Sequence, residues 1–208
     1  MEENHIDHAH KHDNRFKARY LWFFALLLIP LFIFIKPYIT NHLAEKGFTY
    51  IESGQYEEAI KQYKKAIFLN NKDLDSMYWL AHCYKMQNDV ESAIKTYNKM
   101  LAIDSENTSI LLNLGLSLGL SGKREEAIPY FEKIRNLGPK KEESREINTI
   151  DPYQSALRML SNYYEKVGNT VKAREILLEL LKNYPNNKNA QKELKEIESK
   201  LNKQKSIR

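Results

Sequence analysis

The sequence has little cysteine, glycine or proline: one cysteine, Cys83, seven glycines and six prolines among 208 residues. One thiol cannot close an internal disulfide, and it excludes cysteine-based zinc or iron–sulfur sites within one chain. So few turn-forming residues disfavour an all-β protein and exclude collagen-like and low-complexity classes. Apolar residues make up 42% and charged residues 28%, a balance that excludes a disordered polyelectrolyte.

Motifs of catalysis are also missing from the sequence. It contains no phosphate-binding loop, dinucleotide fingerprint, nucleophile elbow or metalloprotease pair. We therefore expect a protein that is not an enzyme and that needs no cofactor. Cys83 falls within a predicted helix without an identifiable catalytic partner, so we expect it to be a small buried residue rather than a nucleophile.

The excess of positive charge lies mainly at the C-terminus. Residues 40–187 contain 20 basic and 20 acidic residues, whereas residues 188–208 contain 7 basic and 3 acidic ones. A nucleic-acid-binding protein usually carries its basic residues on a folded face, so we expect no nucleic-acid partner. We interpret the basic C-terminal segment as a solvated helix, with contact to anionic lipid or an acidic partner as the alternative.

One long apolar run interrupts this polar sequence. Residues 20–35 read YLWFFALLLIPLFIFI, and the stretch extends to residue 39 if Lys36 reaches the headgroups. A helix of about 20 residues spans the hydrocarbon layer of a bilayer. Residues 20–39 are therefore predicted to form a transmembrane signal-anchor helix in contact with lipid. A cleaved signal peptide and a buried core helix remain the alternatives, although bulky residues occupy the place of a cleavage site.

Flanking charges predict the orientation of this anchor. Four basic residues precede the run and two follow it closely; they are Lys11, Arg15, Lys17 and Arg19 before it, and Lys36 and Lys46 after it. The positive-inside rule then places the N-terminus in the cytoplasm and the rest of the chain on the extracytoplasmic side of the cell (inner) membrane, as a single-pass protein. The opposite orientation stays open.

The polar tail before the anchor is rich in histidine. Four imidazoles lie within eight residues: His5, His8, His10 and His12. Such a cluster is a weak candidate for divalent metal binding, and hence for a role in metal delivery. A solvated tail is the favoured interpretation, because no packed second shell is expected there.

A repeat of fixed length organises the sequence after residue 40. Ala59, Ala93 and Ala127 follow similar polar turns and stand 34 residues apart, and Ala173 follows 46 residues later. A period of 34 with helical spacing of apolar residues predicts stacked helical hairpins. Small residues on the first helices, such as Gly47 and Gly115, are expected to allow close helix crossings beside the rings of the second helices.

These features resemble the tetratricopeptide repeat family, over residues 40–141 and 154–187. The predicted fold is therefore an all-α solenoid of about four helical hairpins, with a C-terminal capping helix and one N-terminal transmembrane helix. The predicted segments are a polar tail (1–19), the anchor (20–39), three repeats (40–73, 74–107 and 108–141), an insertion (142–153), a fourth repeat (154–187) and the capping helix with its basic tail (188–208).

The resemblance implies that the first helix of each repeat lines a concave groove. Mapped onto this sequence, the candidate partner-binding residues are Phe48, Ile51, Tyr78, His82, Lys85, Met86, Leu112, Leu116, Leu120, Arg158 and Asn162. The family's carboxylate clamp for chaperone C-termini is echoed only by Arg158 and Asn162, so we do not expect that ligand. Packing of the three leucines against the insertion or a second copy of the chain remains an alternative.

Together these patterns predict a membrane-anchored adaptor or scaffold that binds a peptide or protein in its groove. Confinement to the membrane would raise its effective concentration toward membrane partners. Assembly or maturation of membrane or envelope complexes is the expected setting. A fixed structural subunit or a self-associating solenoid is the alternative, and metal delivery through the histidine tail is a weaker one.

Overall fold

The computed structural model describes residues 33–139 and 151–206, and within these ranges every regular element is an α-helix. The first helix, α1, covers residues 33–52. The others are α2 (Tyr56–Leu69), α3 (Leu74–Met86), α4 (Val90–Leu101), α5 (Thr108–Leu120), α6 (Arg124–Leu137), α7 (Pro152–Lys166), α8 (Thr170–Asn183) and α9 (Lys188–Ser206). The alternation of helices and short turns confirms the all-helical prediction.

Polar side chains and left-handed residues set the ends of these helices. The carboxylate of Asp89 accepts a hydrogen bond from the backbone N–H of Ser92 at 3.1 Å, and Asn107 and Asn169 cap α5 and α8 in the same way. Such caps satisfy backbone donors that have no partner within the helix. Asn88 at φ 62° and Gly122 at φ 83° adopt the left-handed conformation that ends a helix.

The described residues form two compact units, one up to Ser76 and one from Met77 onward. In the first unit, α1 and α2 form the predicted hairpin. Ala59, Tyr63 and Ala66 of α2 are buried. A Cβ added to Gly47 would lie 2.8 Å from the Tyr63 ring, so glycine is what allows α1 to approach that ring.

In the second unit each helix from α4 onward packs against the next one, and α5 also contacts α7. Gly115 of α5 repeats the arrangement of Gly47, because a Cβ there would lie 2.5 Å from the Phe131 ring. The predicted pairing of small residues with rings is therefore confirmed at both glycines. The long helix α9 lies against α8 with Ala190 and Ile197 buried.

The fourth hairpin begins earlier than the 34-residue alignment predicts. Helix α7 starts at Pro152, within the predicted insertion 142–153, and the remainder of that segment falls outside the described residues. Asp151 accepts hydrogen bonds from the backbone N–H groups of Tyr153 and Gln154, and proline suits the first helical position because it lacks an N–H. The Asp-Pro pair thus sets the boundary.

An ion-pair network joins α6, α7 and α8 on one side of the second unit. Arg135 donates to Glu179 through Nε at 2.8 Å and Nη2 at 2.6 Å, and the Tyr153 hydroxyl donates to the other oxygen of Glu179 at 2.8 Å. Burial alone would raise the pKa of Glu179, but these hydrogen bonds outweigh it and leave the pKa lowered. The network therefore links the third helical hairpin to the fourth.

Two predictions fall largely outside the described residues. No helix in the described ranges is both long and apolar enough to cross a membrane, and residues 20–32, which form most of the predicted anchor, lie beyond those ranges. Within 33–139 and 151–206 no group of three or more histidine, cysteine or acidic residues could hold a metal ion. The tail histidines at positions 5, 8, 10 and 12 are also outside the described part of the chain.

Candidate peptide-binding groove

The predicted groove residues lie on the first helices of the hairpins, but their surroundings differ. Phe48 and Ile51 belong to α1 in the first unit, where Phe48 is 41% exposed and Ile51 is half-buried. All the other candidates belong to the second unit. That unit can be described on its own, from α3 through α9.

Three aromatic side chains of α3 contact one another through their rings. The ring of Trp79 makes edge-to-face contacts with Tyr78 at 5.7 Å and with His82 at 5.6 Å between centroids. Burial, and then the charge of Lys85, lower the pKa of His82, so this imidazole is neutral at pH 7. Tyr78 and Met86 remain exposed beside it, consistent with a surface available to a partner.

An apolar cavity of the second unit lies between α5, α6 and α7, with Lys85 of α3 at its edge. Its volume is about 430 Å³, which is within the usual range for ligand clefts. Three of the predicted residues besides Lys85 line it: Leu116, Leu120 and Asn162. Its walls are mainly apolar, and the aliphatic and phenyl side chains that sequence reasoning missed are Ala127, Ile128, Phe131 and Met159.

Two glycines of α5 line this cavity, and they have different surroundings. Gly115 and Gly119 both line it, four residues apart on one face of the helix. A Cβ at Gly115 would collide with Phe131, whereas a Cβ at Gly119 would meet nothing within 4 Å. Gly115 therefore serves the close approach of α5 to α6, and Gly119 leaves space that a ligand side chain can fill.

Basic residues and no acidic ones border the cavity. Lys85, Arg124 and Lys166 belong to its lining, which contains no aspartate or glutamate. Burial lowers the pKa of Lys85, because the half-buried ammonium has lost part of its hydration. Arg124 was missed at the sequence level because it begins α6, a second helix, and the family rule assigns groove positions only to first helices.

Leu112 does not belong to the groove surface. It is only 4% exposed and lies in the core, so its prediction as a partner-binding residue is wrong. Helix α5 contacts α4, α6 and α7, and helices on several sides bury most of its circumference. Leu112, which the family pattern assigns to the groove, therefore packs in the core instead.

Arg158 is also separated from the other candidates. It lines a second depression of about 500 Å³ with Gln154, Asn189 and residues 184–187, and its positive charge acts on Glu193 of α9. Asn162, four residues later, lines the apolar cavity instead. The two residues that echo the chaperone-tail clamp therefore do not share one site.

The single cysteine lies in the core of the second unit, where its thiol stays protonated. Cys83 is fully buried within α3, and burial raises the pKa of its thiol to about 11. A thiol with that pKa is protonated at neutral pH, and the thiolate is the nucleophilic form. The prediction of a buried structural cysteine is confirmed.

Three family models of the tetratricopeptide repeat match the chain, at residues 50–114, 108–134 and 155–187. Among curated proteins, the chain is 28% identical over 105 residues to the photosystem I assembly protein Ycf3 of Prochlorococcus marinus, a match that covers 46% of this chain and 61% of that protein. The chain spans less than two thirds of the length of the curated relatives that it matches.

Solved structures share the fold at low sequence identity. MamA superposes with a TM-score of 0.63 at 18% identity, over 76% of this chain and 80% of MamA. The Yersinia enterocolitica secretion chaperone SycD, in complex with a peptide of the translocator YopD, gives 0.53 at 21% identity, over 61% of this chain and 92% of SycD. Since the repeat models together match more than half of its residues, the chain belongs to the tetratricopeptide repeat family.

Proposed function

We propose that this chain is a membrane-anchored adaptor that holds a peptide segment of a partner protein in the cavity between α5, α6 and α7. The observation that carries the proposal is the cavity itself, about 430 Å³ with largely apolar walls. An open apolar concavity of this kind favours a binding partner, because water solvates its walls poorly. The peptide-bound state of SycD, which has a similar fold, supports a peptide as the ligand class.

Binding rather than catalysis suits the chemistry of the cavity. Its polar side chains are the three cations, Asn162 and Tyr163, a set that offers no serine, threonine or cysteine nucleophile and no carboxylate base. The setting that we propose is the assembly or maturation of a membrane or envelope complex. Ycf3, which is named for its role in photosystem I assembly, supports this setting.

The start of α1 supports the membrane anchor. Ile33, Phe34, Ile35 and Tyr38 are exposed large apolar residues, and they directly follow the apolar run 20–32. Such a patch is costly in water and favourable in lipid. We propose a single-pass anchor over residues 20–39 in a bacterial-type inner membrane. The N-terminus lies in the cytoplasm, and the repeats lie on the extracytoplasmic side.

Two exposed residues give a matched test of the binding site. Leu120 lines the cavity and is 69% exposed, whereas Val171 on α8 lies outside the cavity lining and is 68% exposed. Neither Leu120→Glu nor Val171→Glu buries a charge, so both variants should fold. Full-length chain in neutral detergent is used to select phage-displayed random 12-residue peptides, and the affinities of selected peptides are measured by fluorescence anisotropy.

The proposal predicts that Leu120→Glu weakens binding of these peptides at least tenfold and that Val171→Glu leaves it unchanged. Equal effects of the two variants, or no selected peptide at all, would refute the cavity as the binding site. The anchor is tested separately: the full chain should resist alkaline extraction from bacterial membranes, and deletion of residues 1–39 should release it. Alkaline phosphatase fused after Arg208 should be active only if the C-terminus is extracytoplasmic.

A further inference from the structure

Among the described residues, the three cations at the cavity have no acidic partner. Lys85, Arg124 and Lys166 form no ion pair with any residue of the described ranges. They come from three helices, since Lys85 lies near the end of α3, Arg124 begins α6 and Lys166 ends α7. All three border the same space, so their charges add in one place.

The acidic residues nearest in sequence to Arg124 and Lys166 lie outside the cavity lining; they are Glu125, Glu126 and Glu165. Glu165, which precedes Lys166, accepts a hydrogen bond from Lys200 of α9 at 2.6 Å. Lys123, which precedes Arg124, is paired with Glu91 of α4 at 2.9 Å. The cavity lining therefore carries three basic side chains and no acidic one, although the segment as a whole has balanced charge.

From this charge complementarity we infer that the partner segment is acidic: one or more leucine-sized apolar side chains enter the cavity, and aspartate or glutamate residues flanking them lie against Lys85, Arg124 and Lys166. This inference rests on the proposed function and specifies the chemistry of the peptide. The open space at Gly119 and the side chains of Leu116 and Leu120 receive the apolar anchor. The cations fix its register and speed its approach.

The test uses the peptide selection described above together with two variants of equal charge. The cavity variant is Lys85→Gln/Arg124→Gln/Lys166→Gln. The control is Lys95→Gln/Lys99→Gln/Lys192→Gln, which removes an equal number of positive charges from exposed positions outside the cavity lining. Both proteins are first checked for unchanged helicity and melting temperature, and peptide affinities are then measured at about 50 and 500 mM salt.

The inference predicts that selected peptides carry leucine, isoleucine, methionine or phenylalanine next to aspartate or glutamate. The cavity variant should weaken their binding about tenfold or more, and the control should change it less than about twofold, since each partly exposed charge pair contributes modestly. Binding to the unmodified chain should weaken in high salt, and this salt dependence should shrink in the cavity variant.

Other outcomes separate the inference from the function on which it rests. If peptides bind and are lost with Leu120→Glu, yet are neutral or basic or bind both triple variants equally, the charge inference is refuted and the proposed function stands. If no peptide depends on Leu120, both are refuted. If sedimentation shows self-association that Leu120→Glu abolishes, a second copy occupies the cavity and the acidic partner is refuted.

Discussion

Alanine at the two cavity-lining glycines of α5 should affect stability differently: Gly119→Ala should stabilise the protein, whereas Gly115→Ala should leave it unchanged or less stable. A Cβ at Gly115 would lie 2.5 and 2.7 Å from two atoms of the Phe131 ring, whereas a Cβ at Gly119 would meet nothing within 4 Å. Both substitutions replace glycine by a better helix former within the same helix. The comparison therefore isolates the close packing of α5 on α6.

The magnitude follows from two competing contributions. Alanine in place of glycine stabilises a helix by about 1 kcal/mol, and this gain is similar for both variants. Overpacking a core contact costs about 1–3 kcal/mol, and only Gly115→Ala incurs that cost. Phe131 borders the cavity and can be displaced toward it, so we expect the lower half of this range. Gly115→Ala should thus be less stable than Gly119→Ala by about 1–2 kcal/mol.

Urea unfolding of the full-length chain, followed by circular dichroism at 222 nm, measures this difference. The melting temperatures should differ by about 2–8 °C in the same direction. The double variant Gly115→Ala/Phe131→Leu is the control, because a smaller side chain removes the collision and should give a favourable coupling energy. Equal midpoints for the two alanine variants would refute the close approach of α5 to Phe131.

Three further predictions concern the rest of the second unit. The Oε2 atom of Glu193 is buried without a hydrogen-bond partner among the described residues, and burial raises its pKa. The charged form therefore costs stability above the folded pKa, so Glu193→Gln should raise the melting temperature at pH 7 but not at pH 4. Arg135→Met should lower the free energy of unfolding by about 1–3 kcal/mol in urea, between the values for exposed and buried pairs. Because the pKa of Glu179 is lowered, the unmodified chain should lose this contribution as pH falls through the folded pKa of Glu179, and the variant should show a smaller loss. Cys83 should react with a thiol reagent at pH 8 only in denaturant, and rapid labelling of the native chain would contradict its burial.

The hairpins could be predicted from the sequence because their signal is repeated. The 34-residue spacing of Ala59, Ala93 and Ala127 fixed the period, and Gly47 and Gly115 marked the close crossings that the structure shows. The Asp151–Pro152 start of α7 is a local signal that was visible too. The fixed period had assigned those residues to an insertion, so the boundary was placed two residues late.

The composition of the cavity was less predictable. Helix α5 is apolar on nearly every side, so its sequence does not distinguish Leu112, which is buried, from Leu116, which lines the cavity. Arg124 enters the lining from the start of α6, a second helix to which the repeat pattern assigns no groove position. Which charged neighbours are already paired, as Glu165 is with Lys200, depends on contacts between distant residues.

The most direct test of the central claim is site-specific photocrosslinking in native membranes. A benzoyl-phenylalanine replaces Leu120 in one version of the full-length chain and Val171 in another, two positions of nearly equal exposure. The account predicts a discrete adduct from position 120 alone, whose attached peptide, identified by mass spectrometry, contains an apolar residue beside aspartate or glutamate. Identical adducts from both positions, or none from position 120, would contradict it.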